Sequence, residues 1–553
     1  MIEIKNFIKI YENSFRENWG LPALSEFGKR NDTTYGQLAE SIAKSHLLFE
    51  SIGIKPGDKI ALCGKDSADW VKVYMATVTY GAVIVPILSD FNPLDIIHIV
   101  NHSEASLLVI SDHIWEHIDP ETLLKVKGVM SLETKKVLHE AADVEMMRHI
   151  RLLKRRFNKR YPEGYTASHL KYIDRDNSEV VEINYTSGTT GFSKGVMLTG
   201  ENLAGNVCFG MHSELHFRSS RCLAFLPLAH AYGCAFDMLT PLAVGSHITL
   251  LCKTPSPRVL LKALAEVRPN LVICVPLILE KIYKNQILPM ISKGTMRWTL
   301  AVPFLDTLIY SKIRKKLIDA FGDEFEEVIV GGAPLNHEVE EFLHKIKFPF
   351  TVGYGMTECG PLISYTPWRE FIVGSSGKTL PMMESKIESD DPENIPGEIC
   401  VRGTNVMKGY FKNPKATAAV LDEEGWLHTG DIGTRTPDGT IFIRGRNKTM
   451  ILSASGQNIY PEEIEAKLNN MPFVAESLVV ERDGKLVGLV YPDYDAIDKI
   501  GVLVADMDAS MENVRKELNK IVAPYEQLAK IVMMPNEFEK TPKRSIKRFL
   551  YTR

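Results

Sequence analysis

Tyr185 to Val196 read YTSGTTGFSKGV. Three glycines, five Ser/Thr hydroxyls and one lysine fall within these twelve positions. Glycines let backbone N–H groups approach an anion, and the hydroxyls and Lys194 add donors and positive charge. The apolar lead from Val180 to Tyr185 predicts a strand feeding a phosphate-binding loop. The spacing is not that of a Walker loop, because Phe192 and Ser193 stand between Gly191 and Lys194. A P-loop kinase or ATPase is therefore disfavoured.

On the N-terminal side of this loop, helix and strand signals alternate. Tyr35 to Ile52 carries Leu38, Ile42, Leu47 and Leu48 at helical spacing. Lys59 to Cys63 predicts a short buried strand, Ala68 to Gly81 a helix and Ala82 to Pro86 a second strand. The pattern repeats through Ile96–Ser103 and Ser106–Ser111. Such alternation implies parallel strands with crossover helices. Asp112 to Ser178 breaks the rhythm. There Arg148, Arg151, Lys154, Arg155, Arg156, Lys159 and Arg160 occur with no acid between them. Met146, Ile150, Leu153 and Phe157 form one helical stripe among them. This predicts a basic amphipathic helix, either packed on the core or able to lie on an anionic membrane surface.

On the C-terminal side the α/β alternation continues to Pro361. Beyond Gly374, short strands and turns at Gly397–Gly403, Gly425–Thr429 and Thr440–Ile443 predict a small β-rich unit. A final α/β segment begins near Lys448. A chain of 553 residues predicts roughly three or four folding units. Lys+Arg 65 against Asp+Glu 69 excludes a globally basic nucleic-acid binder. The apolar run Leu223 to Gly245 is interrupted by Pro227, His230, Asp237 and Pro241, so it predicts core rather than a membrane span, which needs about 20 apolar residues. The first residues show no basic segment followed by an apolar core, so no signal peptide is expected. Eight scattered cysteines without a Cys-x-x-Cys pair predict reduced, buried thiols in a cytoplasmic protein, and disfavour a zinc site.

The loop resembles the signature of the AMP-forming adenylating enzymes, a superfamily of acyl-CoA synthetases, luciferases and peptide-synthetase adenylation domains. Ser193 stands where that loop usually has Pro. Further motifs follow in the family's order. Leu226-Pro227-Leu228-Ala229-His230 resembles its PL-x-H motif, and Gly331-Gly332-Ala333-Pro334-Leu335 its adenine-site turn. Gly353-Tyr354-Gly355-Met356-Thr357-Glu358, Gly397–Gly403 and Gly425–Asp431 are similar to the next three. Gly445-Arg446-Asn447-Lys448 resembles the domain hinge. The resemblance runs from Tyr35 to Arg548.

The resemblance implies an N-terminal domain of α/β subdomains plus the β-rich unit over residues 1–447, and a small mobile α+β domain over 448–553. It implies that Thr186, Ser187, Gly188, Thr189, Thr190, Gly191 and Lys194 hold the β- and γ-phosphates of ATP. Glu358 would ligate Mg2+ and Thr357 would contact the α-phosphate. Tyr354 would stack on adenine, which Gly331, Gly332 and Ala333 line, and Gly355 belongs to the same nucleotide site. Asp431 would bind ribose hydroxyls and Arg446 a ribose or phosphate oxygen. His230 is a site residue, Lys448 the pivot, and Gly456 lines the passage for the CoA thiol.

The C-terminus departs from the pattern. Relatives carry a lysine where this chain has Ser545, and a hydroxyl cannot supply its charge. Lys543 and Lys547 flank that position on the same face of an extended segment. The stretch Val267-Arg268-Pro269 to Pro276, then Glu280-Lys281-Ile282-Tyr283, resembles long-chain acyl-CoA synthetases, as does Ser453–Pro461. The aspartate that holds an amino group in peptide-synthetase domains aligns with Ala231 or Tyr232, although Asp237 lies close by. The expected activity is thus fatty-acid–CoA ligation through an acyl-adenylate. An acyl-AMP ligase loading a carrier protein, and a weakened acyl-adenylate binder, are the alternatives.

Overall fold

The computed structural model describes residues 2–141, 144–186, 194–253, 255–291, 305–452, 458–482, 484–500, 507–541 and 546–552. The fold is mixed α/β, and the chain divides by contact into two compact units rather than three or four. The first holds Met1–Thr186, Ser193–Glu384 and Arg402–Leu427; the second holds Ser385–Val401 and His428–Arg553. Unit counting from length fails because one unit contains two large sheets whose helices pack on each other. The helix Gly200–His212, which follows the first sheet, contacts Thr240–Val244, which precedes a strand of the second.

The first sheet has eight strands. In spatial order they are Gly409–Tyr410, Lys194–Thr199, Val180–Thr186, Val83–Ile87, Lys59–Cys63, Ala105–Ile110, Gly128–Ser131 and Val137–Glu140. The central five are parallel. The second sheet runs Phe350–Val352, Glu327–Val330, Leu271–Cys274, Arg221–Ala224, His247–Leu250, Pro22–Glu26 and Thr33–Thr34, with only the last strand antiparallel. Strands such as Val83–Ile87 and Leu271–Cys274 are buried at every position, as expected where helices cover both faces.

Local chemistry sets the boundaries. The helix Ala68–Tyr80 starts where Ser67 accepts the Trp70 N–H and stops at Gly81, whose φ of 89° is left-handed. That turn moves the following strand one residue beyond the expected start. The Leu223–Gly245 run is core: it finishes one strand, turns at His230 and forms short consecutive helices through Val244. No helix among the described residues is long and apolar enough to cross a membrane.

The basic helix forms over Met146–Arg160. Met146 and Phe157 are buried, while Ile150 and Leu153 are half-buried. It packs on Tyr35–Ser51, where Arg156 donates to Ser51 Oγ at 2.5 Å. Arg151, Lys154 and Arg155 stay exposed. The stripe is therefore a packing face, and the basic residues divide between helix contacts and solvent.

A four-stranded sheet, most of it in the second unit, is formed by Met383–Glu388, Gly397–Gly403, Leu427–Arg435 and Ile441–Arg446, in that order. The C-terminal part places Val474–Arg482, Lys485–Pro492 and Lys530–Met533 in a second sheet. The helices Pro461–Leu468 and Met507–Ile521 share its core through Ile464, Leu468, Val490, Val514 and Leu518.

Candidate active site

Thr186 ends its strand and pairs antiparallel with Lys194, so the loop between them is the connection of a hairpin. Ser187, Gly188, Thr189, Thr190 and Gly191 lie outside the described residues. Lys194 does not. Its Nζ stands over the Tyr410 ring, 4.7 Å from the centroid. The Tyr410 hydroxyl donates to Glu358 Oε1 at 2.9 Å. One ring thus carries the loop lysine on its face and the Glu358 carboxylate at its edge. The ladder fixes that ring, because Tyr410 pairs with Val196 on the lysine's own strand. Burial first, and the Glu358 charge second, hold the phenol well above its ordinary pKa, so it remains a donor.

Glu358 sits in the tight turn Thr357–Cys359. Met407 N–H donates to its carbonyl at 2.8 Å. Asn206 clamps the turn from the helix Gly200–His212, donating to Cys359 O at 3.2 Å and accepting the Leu362 N–H at 2.9 Å. Thr357 is buried within the turn. A half-buried carboxylate with one oxygen on a phenol fits a hard dication that takes one protein carboxylate and completes its shell with phosphate oxygens. Glu358 would hold such an ion.

Three further motifs leave the carboxyl ends of parallel strands in the second sheet. Tyr354 follows Phe350–Val352, Gly331–Ala333 follow Glu327–Val330, and Leu226–His230 follow Arg221–Ala224. This is the edge at which open α/β sheets bind ligands. A Cβ on Gly331 would stand 3.0 Å from the Tyr232 ring, whose hydroxyl donates to Ile329 O at 3.0 Å. Gly332 and Ala333 are exposed, and this leaves backbone open for a planar base. Tyr354 is buried and bridged to Ser364. Gly355 has a structural reason to be glycine, since a Cβ there would lie 2.4 Å from Pro361 O.

His230 is half-buried, with its backbone capping the next turn through Cys234 N–H at 2.9 Å. Two groups hold its loop. Asp66 Oδ1 accepts the Leu228 N–H at 3.1 Å, and Asn184 donates to Ala229 O at 3.2 Å. Burial raises the Asp66 carboxyl to about 7. Asp237 is buried beside Cys222, and burial pushes its carboxyl well above the usual range.

In the second unit Asp431 and Arg446 are directly opposed across two antiparallel strands. Arg446 Nε donates to Asp431 Oδ1 at 2.9 Å; the carboxylate is buried and the guanidinium exposed. The pair offers one acceptor-rich and one donor-rich group side by side. Lys448 is exposed in the turn after Arg446. Lys547 Nζ lies 3.5 Å from Glu539 Oε2, while Arg548 is occupied by Glu465 and Glu462. Gly456 and Lys543 lie outside the described residues.

Tyr410, Asn206, Asn184 and Asp66 escaped the sequence reading. Each acts on a motif far away in the chain, and none lies in a recognisable spacing.

Residues 12–411 match the family model for the AMP-binding enzyme. The chain is 27% identical to the long-chain-fatty-acid–CoA ligase FadD15 of Mycobacterium bovis, over 94% of this chain and 90% of that one. It is 28% identical to the 4-coumarate–CoA ligase of Vanilla planifolia, over 80% and 75% respectively. The crystal structure of ATP-bound MatB from Rhodopseudomonas palustris superposes with a TM-score of 0.76 at 22% identity, covering 98% of each chain.

Proposed function

The chain belongs to the AMP-binding enzyme family, and from that premise we propose that it is an acyl-CoA ligase acting on a medium- to long-chain fatty acid. The carboxylate attacks the α-phosphorus of ATP, the bond to pyrophosphate breaks and an acyl-adenylate forms. The CoA sulfur then attacks the acyl carbon, the bond to AMP breaks and the thiol proton is lost to solvent. The observation that carries this reading is the meeting of Lys194 and Glu358 on the Tyr410 ring.

Charge develops on phosphate oxygens during adenylation, and fixed donors there lower the barrier. Lys194 and Thr186, with the loop residues 187–191, are assigned to the β- and γ-phosphates. Bound at Glu358, Mg2+ would neutralise part of that charge. Tyr410 keeps the glutamate oriented and separates it from the lysine, so the two do not collapse into a direct salt bridge. Tyr354 and Gly331–Ala333 take the base, Thr357 the α-phosphate, and Asp431 with Arg446 the ribose. His230, on a loop fixed from both sides, is assigned to the reacting carboxylate's vicinity. Gly456 is assigned to the thiol passage.

The relatives include both fatty-acid and 4-coumarate ligases. The fatty-acid choice rests on the Val267–Tyr283 and Ser453–Pro461 stretches. An acid panel with ATP and free CoA, read as thioester, tests it. Fatty acids are expected to outrun aryl acids by at least about tenfold, a gap of roughly 1.4 kcal/mol. Preference for an aryl acid, or thioester only on a carrier protein, overturns it.

Lys547 is assigned as the cation replacing the lysine missing at Ser545, because its ion pair with Glu539 is long, at 3.5 Å. Lys547→Ala is expected to lose adenylation while still making thioester from supplied acyl-adenylate. Equal loss of both steps removes the assignment, and Lys543→Ala is the parallel test.

The enzyme is assigned to the cytoplasm, in keeping with eight free cysteines of which seven are buried. Its exposed Arg151, Lys154 and Arg155 are assigned to peripheral contact with anionic membrane. Changing these three to Glu spares Arg156, which holds the helix to Ser51. Vesicle sedimentation is expected to show weaker binding by the variant, and by the wild type in high salt. Absence of binding by either form removes the membrane contact.

A further inference from the structure

Three neighbouring strands of the four-stranded sheet bring four metal-ligating side chains to one place. Met383–Glu388 ends on Glu388. The central strand Gly397–Gly403 supplies Glu398 and Cys400, two residues apart and therefore on one face. Leu427–Arg435 supplies His428 from its second position. One ligand atom from each of the four lies within 4.8 Å of all the others.

Two of the spacings match those between ligands of one metal ion. His428 Nδ1 stands 3.3 Å from Glu398 Oε2 and 3.5 Å from Cys400 Sγ. A tetrahedral ion with bonds of zinc length has edges of about 3.4 Å between N and O and about 3.6 Å between N and S. Glu398 is already oriented by the fold, because its other oxygen accepts the Gly430 N–H at 2.9 Å. Such an outer contact is what keeps a ligating carboxylate in place. Cys400 is fully buried and Glu388 exposed, so the site has a closed back and an open mouth. Lys386 approaches Glu388 to 3.6 Å and competes for it, which makes Glu388 the weakest of the four.

We infer that Glu388, Glu398, Cys400 and His428 form a binding site for a zinc-class dication. Thiolate and imidazole favour a borderline metal over Mg2+ or Ca2+. Binding releases the Cys400 thiol proton to solvent as the S–metal bond forms. The ligands share no residue with the Mg2+ assignment at Glu358. His428 and Asp431 lie on the same strand, three positions apart and on opposite faces. Metal binding would stiffen the strand that carries Asp431 without covering it. No Cys-x-x-Cys spacing announces the site, because its ligands are single residues from separate strands.

The test uses the full-length chain, stripped with a chelator and titrated with Co2+. One equivalent is expected to bind, with a thiolate-to-cobalt charge-transfer band and the visible bands of a four-coordinate ion, both lost on adding Zn2+. Cys400→Ala is expected to abolish the charge-transfer band. Glu388→Gln, at an exposed position, is expected to weaken binding by at least about tenfold with unchanged melting of the metal-free protein. A wild type that shows no thiolate band at excess Co2+ overturns the inference and leaves a hydrogen-bonded Cys–His–Glu network. A Cys400→Ala protein that keeps the band also overturns it. Should Cys400→Ala fail to fold, Glu388→Gln decides, and unchanged Co2+ affinity in that variant is the contrary result.

Discussion

Lys194→Ala and Glu358→Ala are each expected to lower acid-dependent pyrophosphate release by about 100- to 1,000-fold, the scale of losing one fixed transition-state contact of about 2.7–4 kcal/mol. The two residues are distant in the chain, yet both contact Tyr410, at 4.7 Å through the ring face and 2.9 Å through the hydroxyl. Lys194 begins a strand paired on both sides, and Glu358 sits in a turn clamped by Asn206. Alanine at either position removes charge while the backbone remains held by its neighbours. The loss therefore belongs to the rate, and melting temperatures are expected to stay close to wild type. Tyr410→Phe is the internal control. It keeps the ring under Lys194 and removes only the hydroxyl on Glu358, so its loss is expected to be smaller than that of Glu358→Ala. Near wild-type pyrophosphate release by both alanine variants contradicts the site assignment.

Lys448→Pro separates the two half-reactions. Proline fixes φ near −65° and removes an N–H. Lys448 is exposed, in the turn that follows Ile441–Arg446. Its side chain is exposed, so the substitution acts chiefly on the backbone. With Lys448 proposed as the pivot between adenylation and thioester formation, the locked variant is expected to retain acyl-adenylate formation and lose thioester formation by at least about 100-fold, a barrier increase of roughly 2.7 kcal/mol. Stopped-flow or quenched assays of each step with the same enzyme sample provide the comparison. Equal loss of both steps places the pivot elsewhere.

The parts of the fold that were legible in the sequence are those governed by local patterns. Lys59–Cys63 and Gly397–Gly403 form strands at the expected residues, each a run too short for a helix and bounded by turn residues. The helix over Tyr35–Ser51 follows from its periodicity, and Gly81 explains the one-residue error after Ala68–Tyr80. Parallel topology followed from alternation, and it sends the Leu226–His230, Gly331–Ala333 and Tyr354 loops to one sheet edge. What depended on distant partners could not be read. Tyr410 carries no motif of its own, and only its pairing with Val196 lays it against Lys194. Asp237 stood near the position of an amine receptor in the sequence, and only the fold shows that it is buried beside Cys222. The basic helix looked uniform along its charged face, yet Arg156 is a packing contact and Arg155 is not. The Glu388, Glu398, Cys400 and His428 cluster exists only after three strands have paired.

The most direct test of the central claim is pyrophosphate–ATP exchange by the intact chain, with the fate of the nucleotide followed in the same samples. Exchange is expected to require a fatty acid and Mg2+ and to proceed without CoA. Adding CoA is expected to yield AMP and acyl-CoA in equal amounts. Exchange that is independent of acid, or ATP consumed to ADP and phosphate, would contradict an acyl-adenylate intermediate.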